Sequence, residues 1–391
     1  MDSAVYGPRI EDIYRAVPLP ANLTLLFLKA EALNHFGILL LVSVWRRVVG
    51  NQIDNFSFSN NYREVGRQLP RLVYTAALAI EIATRLAGQD FGALKQISSL
   101  TYQLGVVSIF FIASMQRNRY GQVIIAVALA IPLVILALGG GMKEAILFPL
   151  VPAVLIIWFG FRSISFKTLA IIIGFVFLAY SQLYVRYVRD TTWGPIESSY
   201  STVQLLEGFQ EHLNHVTLVD GMESISSRIN MTISRAITIA IADARGFEPY
   251  TIFGPIPASL IPRLFWPNKP VLMPGARHTL RIRNLNIPLT KAGSATAAGF
   301  FSELYLGGGF VGWLLGILIY AIMLGAVQRY ALQTMKGFGH LALSFLTVYW
   351  ALRFEEKAVV YAYTEIFFTF ILLVLLIKGT KVFRYDTKRI L

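Results

Sequence analysis

The chain has 391 residues, of which 55% are hydrophobic and only 15% charged, with a mean hydropathy of +0.58 and a formal charge of +13. Soluble globular chains carry about 25% charged residues, so this composition excludes an ordinary soluble fold. With no cysteine in the chain, disulfides, thiolate chemistry and Cys-based metal sites are excluded as well. The net charge does not require nucleic acid, because Lys and Arg gather in the short connections between apolar runs, as they do in multi-pass membrane proteins.

About nine runs are long and apolar enough to be candidate spans for a hydrocarbon core of ~30 Å. In chain order they are Leu23–Trp45, Leu72–Leu86, Ile97–Met115, Val123–Leu138, Ala145–Gly160, Leu169–Val185, Gly308–Val327, Leu341–Ala351 with its flanks, and Tyr361–Ile377. The first is interrupted by Lys29, Glu31 and His35, and the second carries Glu81 and Arg85 on one helix face. These runs predict an all-α polytopic membrane protein. Its parts are an N-terminal bundle over 1–185 with about six spans, a large loop over 186–300, and a C-terminal part over 301–391 with about three spans and a basic tail. Basic residues at 46–71, 117–119, 162–167, 329–336 and 378–389 fall on one side if nine spans alternate, which makes that side cytoplasmic and turns the large loop outward. Nine spans also put Met1 outside with no signal peptide visible, which means either that a span is miscounted or, the reading favoured here, that a further span precedes Met1.

Four outward places carry polar groups: Gly139–Gly141 with Lys143 and Glu144, the exit of the sixth span with Arg186, Arg189 and Asp190, the large loop, and Arg353 to Lys357. Within the loop, 197–246 has helix-like apolar spacing through Ile225, Ile229, Ile233 and Ile237. This predicts one or two helices lying on the outer membrane face, with Arg228 and Arg235 on nearly one side. Arg235 and Gly246 fit an Arg-x10-Gly spacing, although one Arg and one Gly match by chance often. His212 and His215 can share a helix face, but without a third ligand they do not make a metal site.

The following stretch is different. Pro255, Pro257, Pro262, Pro267, Pro270 and Pro274 forbid a continuous helix and predict a shaped loop. From Arg263 to Lys291 there are six Lys or Arg and no Asp or Glu. A cation cluster beside a bilayer binds anionic head groups or a phosphate-bearing ligand. A Gly-rich run with one acid, Glu303, then leads into the seventh span.

Two elements in this region carry a resemblance. Pro262, Arg263, Pro267, Lys269 and Pro270 form Pro-Arg-x-x-x-Pro-x-Lys-Pro, and Gly299, Glu303, Tyr305 and Gly309 form Gly-x-x-x-Glu-x-Tyr-x-x-x-Gly. Over these ~50 residues the chain resembles the Wzy-type polymerases of O-antigen and exopolysaccharide repeat units. The resemblance implies a GT-C-like helical bundle in the bacterial inner membrane, with a periplasmic loop that works at the outer face. It implies transfer of a growing glycan from undecaprenyl diphosphate to a new lipid-linked repeat unit, without a metal, nucleotide sugar or other cofactor. The bilayer, the lipid-linked oligosaccharides, a chain-length regulator and a flippase are the implied partners. The departing diphosphate needs cations: Arg263 and Arg281 first, then Lys269, Arg277, Arg283, Lys291, Arg186, Arg189 and Arg228. Glu303 or His278 can act as base, Glu144 is a third choice, and Tyr305 is a candidate glycan contact. Being two residues apart on a helix, Glu303 and Tyr305 cannot share a face. Two alternatives remain open at this point: an O-antigen ligase or other GT-C transferase, and a flippase or transporter of the same lipids.

Overall fold

The computed structural model describes most of residues 22–50, 68–86, 92–138, 146–192, 202–222, 232–282 and 298–334, and parts of 342–375. Every regular element among the described residues is helical. Four helices are long and apolar enough to cross a membrane: Leu23–Val49, Arg119–Leu138, Lys167–Val185 and Phe300–Gln333. Thr101–Ser114, Phe148–Trp158 and Val359–Phe368 are shorter apolar helices. The chain is an all-helical membrane protein. Most of the eighth expected span, Leu341–Ala351, lies outside the described residues.

The chain forms two compact units, and their limits cross the boundaries expected from hydropathy: one unit is 67–231, the other joins 8–66 to 232–391. The first helix, α1 (Leu23–Val49), therefore goes with the C-terminal half.

The first unit contains α2 (Gln68–Leu86), α3 (Gly92–Ser114), α4 (Arg119–Leu138), α5 (Val151–Gly160), α6 (Ile164–Thr192) and α7 (Thr202–His212). A Cβ on Gly105 would lie 2.6 Å from Ala77 Cβ, so glycine lets α3 approach α2 closely. Polar groups inside this bundle find partners. Ser98 donates to the Glu81 carboxylate, and Tyr74 donates to the Leu129 carbonyl at 2.7 Å. Ala137, Ile146, Tyr184, Val185, Val188 and Leu205 form a common core for α4, α6 and α7. The helix of the sixth span does not stop at Val185 but runs on to Thr192.

The second unit is built on α12 (Phe300–Thr334), which packs against α1, α8 (Thr232–Arg245) and the short α9 (Pro249–Ile252). Between α9 and α12 come α10 (Pro255–Ser259) and α11 (Pro274–Ile282), and α13 (Val359–Phe368) follows. Gly37 of α1 lies against the Phe301 ring, where a Cβ would come within 2.6 Å of it. On another side of α12, Tyr320 and Phe300 meet Tyr363 of α13, whose hydroxyl donates to the Gly316 carbonyl at 2.6 Å.

One expectation is corrected here. The segment 232–245 does not lie on the membrane face: Ser234 to Ala242 are all buried. Helix α8 inserts between α1 and α12, and charges secure it. Lys29 pairs with Asp243 at 2.6 Å, while Glu31 pairs with Arg235 at 2.8 Å and accepts from Thr232. The charges that interrupt the first apolar run are thus protein-facing contacts, which is how ionisable groups persist in spanning helices. Gly246, with φ of 90°, ends α8 and donates to the Ala242 carbonyl, so Arg235 and Gly246 both have structural work to do.

The two ion pairs differ in environment. The Arg235 side chain is only 10% exposed, whereas Lys29 and Asp243 are each more than a third exposed. Glu31→Ala leaves a cation in a closed site, an effect of about 3 kcal/mol. Asp243→Ala loses an open pair that contributes about 1 kcal/mol or less. Thermal unfolding in detergent should show the larger loss for Glu31→Ala.

Candidate functional site

The Gly-x-x-x-Glu-x-Tyr-x-x-x-Gly stretch folds as a unit. Gly299 and Gly309 have φ of 89° and 60°, a region that favours glycine. They bracket a two-turn helix, Phe300–Gly307. At Gly308 and Gly309 the helical dihedrals of α12 break before the long apolar part continues from Phe310. The Phe247 ring sits over Gly309 and the Phe253 ring over Gly307, close enough to exclude a side chain at either position.

This short helix has two functional sides. On one, the buried Glu303 carboxylate accepts from the Val359 N–H at 2.7 Å. On the other, the Tyr305 hydroxyl donates to Asp243 at 2.8 Å and accepts from Lys29 at 2.8 Å, while Phe247 packs edge-on against its ring. The two side chains thus part company, as their two-residue spacing requires.

Glu303 faces a pocket lined by Thr251, Pro255, Leu272, Pro274, Arg277, Arg281 and Val360, among others. Helix α11 supplies the cations. Arg277 and Arg281 are four residues apart, hence on one side of it. Arg281 donates to the Glu248 carboxylate, and the Glu248 N–H donates to the Leu306 carbonyl at 2.8 Å, which ties the end of α8 to the two-turn helix. Arg277 reaches the Thr251 carbonyl at 3.4 Å and has no carboxylate partner among the described residues. The pocket therefore presents one cation paired with a carboxylate, one with no ion-pair partner among the described residues, and one buried carboxyl group.

Other expected site residues fall elsewhere. Lys269 is buried, and its ammonium donates to the carbonyls of Ser259 and Ile261, so it braces the Pro-rich turn. His278 lies on α11 but does not line the pocket. Its Nε2 is 3.3 Å from Ser234 Oγ, and its Nδ1 has no partner among the described residues. Burial, reinforced by Arg281, pushes the imidazole down to about 3. Arg228, Arg263, Arg283 and Lys291 lie outside the described residues, as do 139–145 and 353–357 with Glu144. Arg186 and Arg189 are on α6 with their side chains outside the description.

The neutral histidine has a pH consequence. An unfolded histidine takes a proton below about 6.5, but folded His278 does so only near 3. Its contribution is intact above the unfolded value and is lost as pH falls through the interval between the two. Melting temperatures at pH 7 and pH 5 should differ more for the parent chain than for His278→Gln.

The residues missed in the sequence are Lys29, Asp243, Glu248 and Thr251. Lys29 did carry a signal, since a charge in an apolar run needs a partner. Glu248 carried another: it is the last acid before a stretch, 249–302, that has none.

The second unit is thus a membrane-helical scaffold holding a partly closed cationic pocket. The chain belongs to the family described as Domain of unknown function (DUF8712), whose model matches residues 52–385. That match contains every pocket residue, while α1, with Lys29 and Glu31, precedes it. No curated protein and no solved structure matches the chain.

Proposed function

We infer that the chain is a glycosyltransferase that polymerises undecaprenyl-diphosphate-linked repeat units into O-antigen or exopolysaccharide. In this reading it is a GT-C-like bundle of the bacterial inner membrane, with 186–300 facing the periplasm. The observation that carries the reading is the convergence of Arg277, Arg281 and Glu303 on one pocket. They come from the acid-free basic stretch and from the Gly–Glu–Tyr element, the regions where the chain resembles repeat-unit polymerases.

The chemistry follows from those groups. The bond between the anomeric carbon and the diphosphate oxygen breaks, and the electron pair leaves with the diphosphate. The acceptor hydroxyl oxygen bonds to that carbon and gives up its proton. Developing charge on the leaving group is the main demand, and two guanidinium groups on adjacent turns suit it. Arg277 is the stronger candidate for direct contact, because its charge is not answered by a carboxylate among the described residues. Arg281 holds Glu248 and with it the geometry of the pocket wall. Glu303 orients the acceptor hydroxyl or takes its proton, a modest contribution where the leaving group is good.

The test is reconstitution of the full chain in vesicles with lipid-linked repeat units. Products that lengthen by whole repeat units support the reading. Transfer only to a different acceptor, or movement of the lipid across the bilayer without bond formation, refutes it.

A further inference from the structure

Five large apolar side chains stand exposed on the segment between α8 and α11: Phe247, Tyr250, Ile261, Phe265 and Trp266. Tyr250 is 91% exposed and Phe265 76%, so neither ring is packed away among the described residues. The backbone that carries them is well braced. Helix α9 packs against α12, with Ile252 buried and Phe253 over Gly307, so Tyr250 is left on the outer side. Farther on, the buried Lys269 ammonium holds the Ser259 and Ile261 carbonyls, and the Lys269 N–H donates to Trp266 O at 3.1 Å. These side chains are therefore displayed by a built surface.

What covers them follows from their neighbour. Beyond the break at Gly308 and Gly309, α12 is a helix of membrane-spanning length, and Val311, Leu315, Ile319 and Ile322 form an exposed apolar stripe at helical spacing. In a membrane protein that stripe faces lipid. Phe247 lies directly on Gly309, at the end of the stripe, beside exposed Phe310. The aromatic surface thus continues the lipid face at the depth where a spanning helix begins, the level at which Trp and Tyr concentrate. The charge agrees in one respect: residues 249–302 contain no acid that would repel anionic head groups.

We propose that residues 247–261 with 265–266 seat in the interface of an anionic phospholipid bilayer, with Phe247, Tyr250, Ile261, Phe265 and Trp266 immersed at the boundary between head groups and acyl chains. Thr251, Ile252 and Pro255, which line the Arg277 pocket, belong to the same segment. The pocket then opens beside the head-group layer, where a lipid-borne ligand can enter from the membrane plane. The seat itself does not rest on the polymerase reading.

The chain has no cysteine, so Tyr250→Cys and Phe265→Cys each provide a single thiol. Both positions are exposed, and neither change removes internal packing. The full chain, labelled there with a nitrobenzoxadiazole dye, is placed in nanodiscs containing phosphatidylglycerol. Blue-shifted emission at both sites, quenched mostly by a nitroxide carried high on the acyl chain and little by aqueous iodide, is the expected result. Strong iodide quenching without lipid quenching at either site overturns the proposal. So does protection from both quenchers, which means that protein, such as a second copy of this chain, covers the surface. Because no turnover is read, loss of the polymerase reading leaves this result standing.

Discussion

Arg277→Ala should cut glycan extension by about a hundredfold or more while the protein still accumulates in the membrane. A charge-assisted contact to a leaving group in a partly dry site contributes about 3 kcal/mol, and 1.36 kcal/mol corresponds to a tenfold change in rate. The variant is clean for a structural reason. The Arg277 guanidinium reaches one backbone carbonyl at 3.4 Å and strands no carboxylate among the described residues when it is removed. Arg277→Lys should recover little, because an ammonium cannot offer the planar donor fork. Arg281→Ala is a different experiment, since it strips the partner from Glu248 and loosens the tie between Glu248 and Leu306. Loss of activity in Arg281→Ala that returns in Arg281→Ala with Glu248→Gln would mark Arg281 as a positioning residue. The readout for Arg277→Ala is the glycan ladder, set against protein abundance in the same membranes. A normal ladder would mean that this cation only anchors head groups.

What could be read in advance was what depends on near neighbours in the chain. Apolar runs located the helices, although the run at Leu169–Val185 gave no hint that its helix continues through Arg186 and Arg189. The two-residue spacing of Glu303 and Tyr305 showed that these side chains could not act from one face, whereas the shared side of Arg277 and Arg281 became visible only with the helix Pro274–Ile282. Contacts distant in sequence were hidden. Lys29 meets Asp243 across 214 positions, and Arg235 meets Glu31 across 204. Without those pairs, the polar face of α8 looks like that of a surface helix, since an exposed charge and a charge paired inside a bundle read alike. The role of Lys269 was hidden for a related reason. In a Pro-rich turn, carbonyls lack helical donors, and a buried ammonium is a compact way to satisfy two of them. By residue type alone, that lysine is indistinguishable from a phosphate ligand.

Glu303→Gln separates a catalytic carboxyl from a structural one. Glutamine has nearly the same shape and keeps a carbonyl oxygen that can accept from the Val359 N–H, the bond that holds Glu303 against α13. Fold and abundance should therefore be close to those of the parent. Glu303→Ala instead strands a buried backbone N–H, at a cost of about 1–3 kcal/mol, and should lower abundance as well as activity. The glutamine variant cannot accept a proton, and it places an amide donor where a carboxyl group lined the pocket with Arg277 and Arg281. If Glu303 handles the acceptor hydroxyl, chain extension should fall by about ten- to a hundredfold, within the ordinary range for general base assistance. Tyr305→Phe is the companion variant. It removes a hydroxyl bound to Lys29 and Asp243 on the far side of the same two-turn helix, so it disturbs the scaffold but not the pocket. A shortened ladder in Glu303→Gln at normal abundance, with Tyr305→Phe nearly unaffected per molecule, assigns chemistry to the pocket side. Full activity in Glu303→Gln would leave the carboxyl group only its bond to Val359, and the reaction would then rest on the arginines and the leaving group alone.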